Sequence, residues 1–161
     1  MRIPTRAAVV IAACGATGCG ANAGASAPAP AQLQVAGGYQ IMKTTTENTC
    51  DGNLTPATVI GAVSQTAGAP AFTLNDSFTE FAGSVQTNGA FTIPPQATAP
   101  GHTGAPMTTV FESGRFTISG FDAQVRLDIN GPLGQPPFAV CRVSQTWRGT
   151  KLGSPNVIPS S

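Results

Sequence analysis

This 161-residue chain has one histidine, one tyrosine, one tryptophan and four cysteines, so any chemistry must come from few groups. His102 could act as a general base or a metal ligand, because a neutral imidazole both accepts a proton and coordinates. It lies in a Gly/Pro stretch with no Cys, Asp or Glu within nine residues, which reads as a solvated loop. Asp76 and Glu80 are neighbouring acids, but they flank Ser77-Phe78-Thr79 in what reads as an ordinary strand pattern. A glycosidase pair would need a set separation across a cleft. Asp51-Gly52-Asn53 could open a calcium loop, yet no later acid falls at ligand spacing, and the segment reads as a turn. There is no G-x-S-x-G, H-E-x-x-H or glycine-rich phosphate loop. The expectation is a protein that is not an enzyme, with no metal site and no cofactor.

Two further groups carry more. Cys50 and Cys141 are the cysteines left once Cys14 and Cys19 are assigned to an export signal, and two are too few for structural zinc. In an oxidising compartment they are expected to form a disulfide that sets the end of the first strand beside the last. Trp147 and Gln145 share one face of that last strand, and Tyr39 lies on the first. One reading makes Trp147 a core residue packed by the disulfide, with Gln145 satisfied by a backbone group or water. The other lines a ligand cavity with them, Trp147 stacking, Gln145 hydrogen-bonding and Tyr39 joining in.

The elements that must position these groups are strands. From Phe121 to Asn130, Phe, Ala, Val, Leu and Ile occupy the odd positions and polar residues the even ones. That period of two marks a strand with one buried face. Cys141 to Arg148 alternates likewise across a turn at Gly131-Pro132-Leu133-Gly134. Pairing the two antiparallel with partner numbers summing to 270 opposes Asp128 to Arg142, Asp122 to Arg148 and Ala123 to Trp147. A sum of 268 would instead oppose Arg126 to Arg142, which repels.

Asn88-Gly89 predicts a type I′ hairpin between 83–86 and 90–93. Ser113-Gly114 is expected to join 108–112 to 115–118, and the parity shift at Ser119-Gly120 predicts a bulge or tight turn. Further strands are expected near 36–46, 57–65 and 70–82, with a four-proline loop over 94–107. The fold class is therefore all-β, a small antiparallel up-and-down barrel or sandwich of eight or nine strands with one disulfide. The barrel is favoured because the disulfide joins first and last strands.

Charge narrows the partners. From residue 19 onward there are six basic and seven acidic side chains with no run of either sign. Nucleic-acid binding needs a basic stripe, which is missing, as is a basic amphipathic helix for anionic lipid.

The chain start is an address. Arg2 and Arg6 precede the apolar run Ala7–Ala13, the pattern of an export signal over residues 1–18. Residues 19–34 are an Ala/Gly/Pro/Ser-rich tether, and 35–161 are expected to form a single β-domain. Ile11-Ala12-Ala13-Cys14 and Ala16-Thr17-Gly18-Cys19 both resemble the lipobox of bacterial lipoproteins. The first would leave a very short signal, so Cys19 is favoured; Ala21-Asn22-Ala23 offers ordinary signal-peptidase cleavage instead. The resemblance implies a lipidated Cys19 and a membrane partner. The location would be the cell envelope, at the outer membrane or in the periplasm of a two-membrane host; cleavage without lipid would give a secreted protein.

The hairpin unit Gly83–Ile93 and the closing strand Cys141–Trp147 resemble the small lipocalin-like, calycin-type β-proteins of bacteria. The expected function is a non-catalytic binding or structural role in the envelope, toward an unknown small ligand or envelope protein. The alternative is a secreted inhibitor of a protease or glycosidase, presenting the N-terminal segment or the 94–107 loop.

Overall fold

The computed structural model describes residues 31–50, 55–98, 106–129 and 141–159. The chain is all-β: nine antiparallel strands in one curled, half-barrel sheet, with no helix among the described residues. In order they are β1 (Gly37–Asn48), β2 (Ala57–Gln65), β3 (Ala71–Asn75), β4 (Glu80–Val85), β5 (Phe91–Thr92), β6 (Gln96–Thr98), β7 (Met107–Thr117), β8 (Gly120–Ile129) and β9 (Cys141–Leu152). The sheet order β5-β4-β3-β2-β1-β9-β8-β7-β6 is two meandering arms joined where β1 pairs with β9. The far edges meet at one bridge, Ala90 to Arg115, beside a 2.8 Å bond from Phe116 N–H to Gly89 O.

The β8–β9 register is the expected one: Asp128 opposes Arg142, Asp122 opposes Arg148 and Ala123 opposes Trp147. Both charge pairs form, at 3.2 Å for Arg142–Asp128 and 3.0 Å for Arg148–Asp122. Cys50 and Cys141 are bonded, with Cα atoms 4.9 Å apart, and they clamp the end of β1 to the start of β9.

Four local expectations are corrected. The single strand over 70–82 is two, β3 and β4, divided by a turn at 76–79. The Asn88-Gly89 hairpin is not type I′, because among the described residues only Ser77 is a non-glycine with positive φ. Gly89 N–H bonds to Gln86 O across Thr87 and Asn88, and Gly89 itself takes φ +86° as the extra residue before Ala90. Ser113-Gly114 is no turn but the interior of β7. A bulge at Glu112 lets both Phe111 and Phe116 of this one strand face inward, and the tight turn expected at Ser119-Gly120 is present between β7 and β8. The region 94–107 is not loop throughout, since β6 pairs with β7 there. Its remainder around His102 lies outside the described residues.

The concave face is packed with aromatic rings. Tyr39, Phe72, Phe81, Phe91, Phe111, Phe116, Phe121 and Trp147 are all buried, with ring centroids from 4.8 to 6.5 Å apart, mostly tilted or edge-on. Aromatic quadrupoles favour such contacts over face-to-face stacking. Gly114 makes room for one of them: a Cβ there would lie 2.1 Å from the Phe91 ring.

The molecule has two distinct ends. At one, the disulfide end, β1 finishes and β9 begins. At the other, the terminal end, the segment before β1 crosses the core beside the segment after β9. There Leu33 and Val35 are buried and Gln34 bridges Val157. The packed body thus starts slightly before the expected boundary at residue 35.

Candidate functional site

The disulfide end carries the most developed site, and the turn between β3 and β4 builds it. Asn75 Oδ1 accepts from Ser77 N–H at 2.8 Å, and Asp76 Oδ1 accepts from Phe78 and Thr79 N–H at 3.1 and 2.7 Å. Asn and Asp favour such turns because their side chains imitate a backbone acceptor. Ser77 takes φ +75° and its hydroxyl donates to Ile60 O, pinning the turn to β2. The other Asp76 oxygen pairs with Lys43 Nζ from β1, and both side chains are largely buried. The turn is therefore held from three sides, and it presents Phe78 with 82% of its surface exposed.

Beside Phe78 a cavity of about 250 Å³ opens, lined by Lys43, Asp76, Thr79, Phe81, Met107, Thr109, Leu127, Gln145 and Trp147. Trp147 forms part of its wall rather than an open stacking platform. Lys43 Nζ sits 3.9 Å from the centre of the indole, and Phe81 and Phe111 meet the indole edge-on. The indole N–H donates to Gln145 Oε1 at 2.8 Å. A ligand that stacked on this indole from the Lys43 side would have to displace a cation already bound there.

Tyr39 does not join this site. Along β1, Lys43 opposes Trp147 whereas Tyr39 opposes Lys151, four residues nearer the terminal end, or about 13 Å at strand rise. The Tyr39 hydroxyl lies 2.6 Å from Val35 O and 2.8 Å from Asn156 Oδ1, and Asn156 donates onward to Thr117 O. Burial pushes the phenol's pKa up, offset only in part by the Asn156 bond. Lys151 lies over the Tyr39 ring and donates to Val35 O at 3.0 Å and Ala36 O. Its pKa is lowered, also by burial. At two places along the β1–β9 pair an inward lysine is thus laid over the ring directly opposite it.

Asp76 and Glu80 are not arranged as an acid–base pair. Asp76 is tied to Lys43 and to its own turn, while Glu80 is exposed on β4 opposite Asn75. Among the described residues no three His, Cys, Asp or Glu side chains converge. Cys14, Cys19, Asp51 and His102 lie outside the described residues. What sequence reasoning missed is the Lys43–Asp76 pair and the display of Phe78. The signal was present in Asn75-Asp76-Ser77, three turn-forming residues in succession. No family model, characterised protein or solved structure matches this chain.

Proposed function

We propose that this chain is an exported cell-envelope module, lipid-anchored through Cys19, with a binding or structural role and no catalysis. One observation carries the reading: the opposition of the two ends. The chain runs into the tether from the terminal end at Ala31, while the rigid turn with exposed Phe78 and its adjoining cavity stand at the disulfide end. An anchored protein that engages a partner needs that geometry, with attachment on one side and contact on the other. The Ala/Gly/Pro/Ser-rich sequence between Cys19 and the body has the composition of a linker between anchor and domain. The aromatic filling of the concave face argues for recognition at the rim rather than inside a lipocalin-type cavity.

The test is fractionation of cells expressing the chain with its own signal. The native chain is expected in the membrane fraction, Cys19→Ser in the soluble export fraction, and Cys14→Ser still in the membrane. Retention of Cys19→Ser on the membrane would defeat the lipid anchor.

A secreted hydrolase inhibitor is the second reading, and Phe78 favours it. A protruding aromatic on a turn fixed by a buried carboxylate is already organised for a specificity pocket. In a panel of envelope and secreted proteases and glycosidases, this reading expects inhibition that Phe78→Ala abolishes while the fold survives.

A further inference from the structure

The terminal end differs in charge from the rest of the molecule, although the sequence looks evenly balanced. Among the described residues, the ion pairs join four cations (Lys43, Arg126, Arg142, Arg148) to four acids (Asp76, Glu112, Asp128, Asp122). The described charged side chains outside those pairs segregate. Arg115 lies beside Asn88 and the segment after β9, and Lys151 opposes Tyr39, both at the terminal end; Glu47 lies near the end of β1, and Glu80 follows the 76–79 turn. Arg115 donates to Asn88 O at 3.2 Å and opposes Asp122, which is ion-paired with Arg148, while Lys151 donates to the carbonyls of Val35 and Ala36.

Distance makes this split matter. Lys151 opposes Tyr39, and Glu47 lies eight residues further along β1, or about 26 Å at strand rise. That is roughly three Debye lengths at physiological salt. A surface touching the terminal end therefore meets its cations and hardly senses Glu47. Two large apolar side chains stand at the same end, Ile118 at 66% and Leu152 at 45% exposed, drawn together by the Lys151 N–H to Ser119 O bond.

We propose that the terminal end docks on the surface of a bilayer containing anionic phospholipid, with Arg115 over the headgroups, the half-buried Lys151 adding its charge from behind the surface, and Ile118 and Leu152 at the interface. The proposal rests on the tether reading above, since the chain leaves toward residue 19 from this same end. Docking turns a loosely tethered body into an oriented one, with Phe78 pointing away from the membrane. A basic amphipathic helix is not needed, because the fold gathers from separate strands what no stretch of sequence contains.

The experiment uses the full chain purified from bacterial membranes, with its intact mass recorded, and reconstituted in vesicles of neutral or mixed neutral and anionic phospholipid. Amide hydrogen exchange is then compared at the 118–119 turn and at the 76–79 turn. Slower exchange at 118–119 is expected on anionic vesicles alone, reversed at 1 M salt where screening shrinks to about 3 Å. Arg115→Gln is expected to lower the docked-to-free ratio about fivefold, the effect of one cation near such a surface.

No slowing at 118–119 for a chain shown to be acylated would overturn docking while leaving the tether intact. Slowing at 76–79 instead, as a protein partner in the preparation would cause, or equal slowing on neutral vesicles, would also overturn it. If the mass shows a chain starting near Gly24 without acyl groups, the tether reading fails separately. Docking then stands only if that chain floats with anionic vesicles at low salt, and falls if it does not.

Discussion

Buried groups separate structural side chains from available ones. Asp76 and Asp122 are both ion-paired, but the Lys43–Asp76 pair is 13% and 6% exposed whereas Arg148–Asp122 is 65% and 55% exposed. Asp76→Ala leaves a buried ammonium without its partner and unties the β3–β4 turn, so it should cost about 3 kcal/mol or more. Asp122→Asn should cost under about 1 kcal/mol, because water and salt already screen that pair. Denaturant melts of the two variants check the contrast. Tyr39 offers a second test, since it is the sole tyrosine and its phenolate absorbance reports one group. Its folded pKa is raised, so the folded state holds the proton more tightly than the unfolded chain, which ionises near pH ~10. The resulting stability is complete below that pH and is lost as pH rises through the folded value. Lys151 acts in the opposite sense: its lowered pKa costs stability until pH rises through its own range. The phenolate signal should therefore be missing from the native chain at a pH where the urea-unfolded chain shows it in full. Ordinary titration in the native chain would contradict the buried placement of Tyr39.

Strands were legible where the alternation is unbroken, and illegible where the chain departs from it. β8 and β9 could be paired to the residue from parity and charge alone, because a one-residue slip would turn every apolar side chain outward. β7 could not, since Ser113-Gly114 has the composition of a turn, whereas the chain runs straight through it with a bulge at Glu112. The turn at Asp76 was legible in Asn75-Asp76-Ser77, but its ion pair was not: the carboxylate is satisfied by backbone of its own turn and by Lys43, a partner 33 residues away. Spacing within the segment holds no trace of that partner. The same logic explains why Trp147 and Gln145 were rightly placed on one face while Tyr39 was wrongly grouped with them. Face follows from parity, but position along the strand depends on register with a distant neighbour. Gly114 tests the element directly. Gly114→Val would drive a side chain into the Phe91 ring, and overpacking of this kind should cost about 1–3 kcal/mol, read as a lower melting temperature. No loss would mean that the ring does not sit where β7 leaves room for it.

At the level of the molecule, the disulfide and the terminal crossing close opposite ends of the same β1–β9 pair. The Cys50–Cys141 bond spans a sequence separation of 91, and closing a loop of that length is worth about 4–5 kcal/mol in the chain-entropy model. Reduction, or Cys50→Ser with Cys141→Ser, should lower stability by about 2–5 kcal/mol, measured by denaturant unfolding of the full chain. An unchanged midpoint would mean that strand pairing alone holds that end. The proposed anchored reading draws on these opposed ends, with Ala31 leaving the body at the terminal end and Phe78 exposed at the disulfide end. The most direct measurement of that reading is the intact mass of the chain expressed with its own signal in a bacterial host. The result expected is a protein beginning at Cys19 and carrying acyl chains. A mass beginning near Gly24 with no lipid would contradict the anchor and leave a freely secreted protein.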